Sequence, residues 1–211
     1  MRPALLLLIL PACFLAGGEP STQPEADADT DADSDGDVDA DTDTDTDPAT
    51  ADDSWYVFKS SGVYTGNLAT AAGVVDGVEG ADLLCASAAA GAGLPGTFEA
   101  WISAPGVSAI GRVPAAAGPW VLTDGEVAFP NASGFVSTPT TDIVVDEREE
   151  PHYGRVWTGT LAGGQPSGVD CDGWTSNDLE GTVGDGEGAT WTDIDDTICS
   201  SGRSLICYRA R

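Results

Sequence analysis

Basic residues are scarce in this chain of 211 residues: 8 Lys and Arg and one histidine, His152, stand against 35 Asp and Glu, for a formal charge of −27. Nucleic acid and anionic headgroups are recognised through clustered Lys and Arg, so neither is an expected partner. With a single imidazole, a hydrolase triad would have to combine His152 with a serine, and no Gly-x-Ser-x-Gly segment is present. Enzymatic activity is therefore not expected; paired carboxylates add little, because any acidic surface offers pairs. A structural zinc site is disfavoured too, since no second histidine stands beside His152. A hydrophobic run long enough to span a bilayer is also missing from the N-terminus. The run "ALLLLIL" at 4–10 follows the basic Arg2 and has the length of a signal-peptide core.

What is present is organised in three parts. Leu10, Pro11, Ala12 and Cys13 resemble a bacterial lipobox, so residues 1–12 are expected to be a signal peptide and Cys13 the lipidated residue. Acyl chains, at about 0.8 kcal/mol per buried methylene, would hold such a protein on a membrane without a spanning helix. Cleavage near Ala16 to Gly18, leaving a secreted protein, is the alternative. Residues 13–53 read as a tether, with 15 acidic and no basic residues between Glu19 and Asp53 and aspartate at every odd position from Asp27 to Asp47. Like-charge repulsion and low hydrophobicity predict a disordered, extended segment. Asp31, Asp33, Asp35, Gly36, Asp37, Val38 and Asp39 also match the opening of an EF-hand-like calcium loop. Thr42 stands where that loop needs a bidentate Glu, and the solvated tether is the expected reading.

Residues 54–211 form the expected folded domain, still acidic at 20 acidic against 7 basic residues. Cys85, Cys171, Cys199 and Cys207 are an even set in an exported chain, which predicts two disulfides and leaves three pairings open. "SWYVFKSSGVYTGNL" (54–68) alternates apolar and polar residues as a first strand with its turn. "EGADLLCASAAAGAG" places Ala81, Leu84, Cys85 and Ala88 at helical spacing, with Gly91 and Gly93 ending the helix. The remaining apolar pieces, "TFEAWIS", "PWVLTDGEVAF", "GFVS", "DIVVDE", "RVWTGTL", "GWTS" and "SLICYRA", have lengths suited to strands and loops. Asp124-Gly125 is a hairpin signal. The fold class is α+β, with short antiparallel strands, one or two helices and long loops.

The order of Cys85, "GLPGTFEAWIS", "VLTDGEVAFPNASGFVS", "RVWTGTLAGGQPSGVDCDGW" and "CSSGRSLICY" resembles the endostatin domain of collagens and endostatin-like domains of bacterial lipoproteins, which share the C-type lectin-like fold. The resemblance implies nested disulfides, Cys85 with Cys207 and Cys171 with Cys199. It also places Trp191-Thr192-Asp193 where C-type lectins carry a Trp-Asn-Asp calcium and sugar motif. Calcium is accordingly the candidate ion, with Asp185, Glu187, Asp193 and Asp195 as candidate ligands, although no cofactor is required and Thr192 replaces an amide. Endostatin binds heparin through arginine clusters and zinc through histidines; neither set carries over, so heparin-type binding is not expected. The five tryptophans from Trp101 to Trp191 are expected mainly in the core, with Trp174 and Trp191 the candidates to line a ligand face. The expected whole is a bacterial cell-envelope lipoprotein that displays a non-catalytic recognition domain for a protein or glycan. A structural envelope or matrix component is the rival reading.

Overall fold

The computed structural model describes residues 54–211. The signal peptide, lipidation at Cys13, the tether and its calcium-loop match lie outside the described residues.

The chain opens with strand β1 (Trp55–Lys59), followed by the short helix α1 (Leu68–Ala72) and the long helix α2 (Gly77–Ala92). Asp76 starts α2 because its carboxylate accepts the Glu79 N–H at 2.9 Å, a cap worth about 1 kcal/mol. Gly93 ends it at φ 75°, a left-handed position that satisfies the last carbonyls through Ala89 and Ala90. Gly77, Ala81, Cys85 and Ala89 recur every four residues and form its buried stripe, with Leu84 and Ala88 half-buried beside it. Small residues on this stripe let the helix lie close to the sheet.

Seven further strands follow: β2 (Phe98–Ala100), β3 (Trp120–Val121), β4 (Val127–Phe129), β5 (Val156–Trp157), β6 (Glu180–Gly184), β7 (Asp195–Ile198) and β8 (Ser204–Arg209). They form one sheet in the order β4-β3-β1-β8-β5-β6-β7, with β2 also paired to β8. The α+β class holds, but the sheet is mixed where antiparallel pairing was expected. β1 runs parallel to β3, and β5 parallel to β8. Between β1 and β3 the long excursion through α1 and α2 gives the chain room to return in the same direction, which a tight hairpin forbids. The Asp124-Gly125 turn does join β3 and β4 as a hairpin, with the Gly125 N–H donating to Leu122 at 2.9 Å.

Both faces of the central strands are buried. Val57, Val156, Ile206 and Tyr208 enter one cluster, whereas Phe58, Trp157, Leu205 and Cys207, the alternate residues, enter the other. The first cluster gathers Trp101, Trp120, Phe129, Phe135, Trp191 and Tyr208 under loops; the second packs α2, Trp157, Trp174 and all four cysteines. β1 is therefore apolar on both sides, and the expected apolar–polar alternation gives way to two apolar sets.

The disulfides join Cys85 to Cys207 and Cys171 to Cys199, separated by 122 and 28 residues. Chain-entropy arguments give such loops about 4.9 and about 3.6 kcal/mol of stabilisation. The first fastens α2 to β8 across the second cluster. Among the other expected strand pieces, "GFVS" lies in a 3-10 turn (Ala132–Val136), "DIVVDE" is loop, and "GWTS" begins in a tight turn. Phe135 needs that 3-10 geometry to reach the middle of the ring cluster, where it stacks on Phe129 at 4.0 Å. At the two ends of the domain, Arg209 Nη1 donates to the Ser54 carbonyl at 2.8 Å, and its guanidinium lies 5.8 Å from the Trp55 ring centre.

Candidate binding site

Each buried tryptophan has its indole N–H satisfied, as burial of a polar tip demands. Trp101 donates to Thr192 Oγ1 at 2.8 Å, Trp120 to the Arg209 carbonyl at 3.1 Å and Trp157 to the Tyr64 carbonyl at 2.9 Å. Trp174 donates to the Ser103 carbonyl at 2.8 Å and is fully buried, with its ring 5.8 Å from Trp157. Its ring lies within the second cluster and exposes no surface.

Trp191 is placed differently. It is 2 % exposed, donates to the Ser137 carbonyl at 2.9 Å and rests against Trp101 at 5.0 Å between ring centres. Above it opens a cavity of about 210 Å³, bounded by Val136, Ser137 and Thr138 after the 3-10 turn, by Ala162 and Gly163, and by Ala189. Three separate loops build these walls. The Leu161 turn is closed by Gly164 N–H donating to the Leu161 carbonyl at 2.9 Å, and Gly163 sits at φ 98°, where a side chain would be strained. The Ala189 wall is a short 3-10 turn (Gly188–Thr190) held when Thr190 Oγ1 donates to Asp185 Oδ2 at 3.1 Å. The site is thus a small pocket lined by Trp191, by Ser137 and Thr138 and by aliphatic residues, a combination able to hold an apolar face that carries a few polar groups.

The four candidate calcium ligands do not gather. Asp185 Oδ1 accepts the Glu187 N–H at 2.9 Å, Asp195 on β7 pairs with Arg155 at 3.2 Å, and Asp193 is half-buried between them in sequence. Among the described residues no three His, Cys, Asp or Glu side chains come together as a metal site. Thr192 is 1 % exposed, and its hydroxyl accepts from Trp101 inside the core. Asp196 accepts the Thr182 hydroxyl at 2.7 Å. Asp185, Asp195 and Asp196 thus serve the backbone, a neighbouring arginine and the sheet edge.

His152 Nε2 stands 2.9 Å from Ser204 Oγ, but Ser204 is only 3 % exposed, covered at the start of β8. The chain matches no known family model and no curated protein.

Sequence reasoning missed two features near this face. Lys59, the final residue of β1, is fully buried, and its ammonium donates to the carbonyls of Gly154 and, at 3.0 Å, Asp185. Desolvation lowers its pKa to about 8, against the opposing pull of Glu187 and Asp185. Lys59 so pins two loops to the sheet. On the helix side, Arg112 reaches both oxygens of Asp82 at 2.6 Å and Glu99 Oε2 at 3.2 Å, linking α2 to β2. Burial works against the Arg112 charge, and Asp82, followed by Tyr208 and Glu99, outweighs it, raising the pKa. The same Glu99 accepts from Tyr208, whose phenol is pushed up, first by burial. The single Lys after an apolar run was the available signal for the first feature.

Proposed function

We propose that residues 54–211 are an endostatin-like domain of C-type lectin-like fold, serving as a non-catalytic recognition module for a protein or glycan. Lipidation at Cys13 and the acidic segment would display it on a bacterial cell envelope. The cavity above Trp191 carries this reading, because it sets Trp191 among loops that can vary without disturbing the two disulfides. The nested pairing and the long helix bearing the first paired cysteine support the fold assignment. A net acidic surface favours neutral or cationic ligands over sulfated or phosphorylated ones.

The test is a screen of the full chain against a glycan array and envelope protein extracts, alongside Ala189→Trp, which fills the cavity from an exposed position. Saturable binding that is lost in Ala189→Trp while the melting temperature stays unchanged is the expected result. Binding that ignores the filled cavity would overturn the site, and self-association without any soluble ligand would favour the structural role. In the same preparations Cys13→Ser is expected to release the protein from membranes; unchanged retention would overturn the anchor.

A further inference from the structure

The two disulfides stand on different backbone. Cys85 lies in the regular helix α2 and Cys207 in the regular strand β8. Cys171 instead opens a turn in which four successive residues, Cys171, Asp172, Gly173 and Trp174, have φ of 55°, 57°, 62° and 65°. Glycine tolerates this; for the other three, the left-handed region drives Cβ toward the following carbonyl oxygen, and such residues ordinarily occur singly. A full left-handed turn persists only if its surroundings over-determine it.

Those surroundings are specific. Asp170 accepts the Gly173 N–H through Oδ1 at 3.0 Å and the Trp174 N–H through its carbonyl at 2.7 Å. The Cys171 carbonyl takes the N–H groups of Thr175 at 3.1 Å and Ser176 at 2.9 Å. Glycines clear the space around it. A Cβ at Gly66 or Gly181 would lie 2.2 or 2.6 Å from Cys171 Sγ, and one at Gly77 would lie 2.1 Å from the Gly173 carbonyl oxygen. Beyond the turn, Thr175 and residues 177–180 are exposed, and Asn177 Oδ1 accepts the Asn67 N–H at 3.2 Å. The covalent bond to Cys199 fixes one end of this assembly and the Trp174 indole the other.

We propose that the Cys171–Cys199 disulfide is a redox latch, opened by a dithiol reductant ahead of Cys85–Cys207. One thiolate of the dithiol attacks a cysteine Sγ, breaking the S–S bond and forming a mixed disulfide. The second thiolate then displaces the remaining cysteine, leaving two cysteine thiols and the oxidised, cyclic reductant, with two electrons and two protons passed to the protein. Both sulfurs are buried, so attack requires local opening, and backbone strain at Cys171, Asp172 and Trp174 favours that opening. Once released, the turn relaxes toward right-handed geometry, Trp174 leaves the Ser103 carbonyl, and the exposed segment after it is freed. Cys85–Cys207 continues to hold α2 on the sheet, so the change is local.

The experiment uses the native full chain in graded dithiothreitol, quenched by alkylation and mapped by mass spectrometry. Cys171 and Cys199 are expected to be labelled about tenfold faster than Cys85 and Cys207. Asp172→Gly removes one strained residue at an exposed position and should bring that ratio down, with the fold checked by circular dichroism. Prior opening of Cys85–Cys207, simultaneous opening of both, or a ratio unmoved by Asp172→Gly would each overturn the latch. Should Asp172→Gly fail to fold, the order of labelling in the wild-type chain decides the question alone.

Discussion

The two faces of the sheet reach the same burial by different means. On one, six large rings meet at centroid distances from 4.0 to 6.2 Å, and no covalent bond crosses them. On the other, an alanine-lined helix offers little area per residue beside the rings of Phe58, Phe98, Trp157 and Trp174, and two disulfides add a covalent constraint. Large rings bury much surface and meet edge to face, so the ring side gains from area and geometry. The helix side gains from restricting the unfolded chain. One acidic domain thus combines two routes to stability that fail under different conditions: reductant attacks one, loss of a ring the other.

Removing the disulfide across the helix face should have the largest effect. Cys85→Ser with Cys207→Ser is expected to cost about 5 kcal/mol, against about 3.6 kcal/mol for Cys171→Ser with Cys199→Ser, measured by urea unfolding. A larger loss from the second pair would break the assignment of the long loop as the main staple. Next, Phe135→Ala should cost about 4 kcal/mol, because Phe135 touches Trp101, Trp120, Phe129 and Tyr208 and its removal leaves a cavity among rings. A loss below about 1 kcal/mol would mean that this face tolerates repacking and that the rings are not its main support.

A smaller effect sharpens the comparison through pH. Lys59 lies on the ring face, two residues after Val57, and its folded pKa of about 8 is below the ordinary 10.5. Between these values the unfolded chain holds a proton that the folded one has shed, so stability should rise from pH 8 toward pH 10.5. Tyr64 and Tyr208 have raised pKa values and act in the opposite direction above pH 10. Urea midpoints measured from pH 8 to 10 isolate the lysine, and Lys59→Met should flatten the slope; an equal slope in that variant would sink the argument.

Much of this was legible in the amino acids because local chemistry and final structure agree. The α2 helix has its cap, its small-residue stripe and its closing glycine; the hairpin has Asp124-Gly125; the tryptophans are core. β6 and β7 were not legible, since "EGTVG" and "DDTI" carry acids and glycine that read as a loop while backbone pairing makes them strands. Trp174 could not be assigned inward from its type, because its direction comes from left-handed backbone at three residues that ordinarily avoid it. The Trp191 cavity joins loops far apart in sequence, and no periodicity connects Thr138, Gly163 and Ala189.

The contact between Arg209 and the Ser54 carbonyl places entry and exit of the domain at one corner of the sheet. A host protein would need only a narrow gap in one of its own loops to accept residues 54–211 as an inserted cassette. By the same geometry, a short linker from Arg211 to Ser54 would allow the chain to be recut at the exposed Asp124-Gly125 turn, giving a circular permutant in which both disulfides keep their partners.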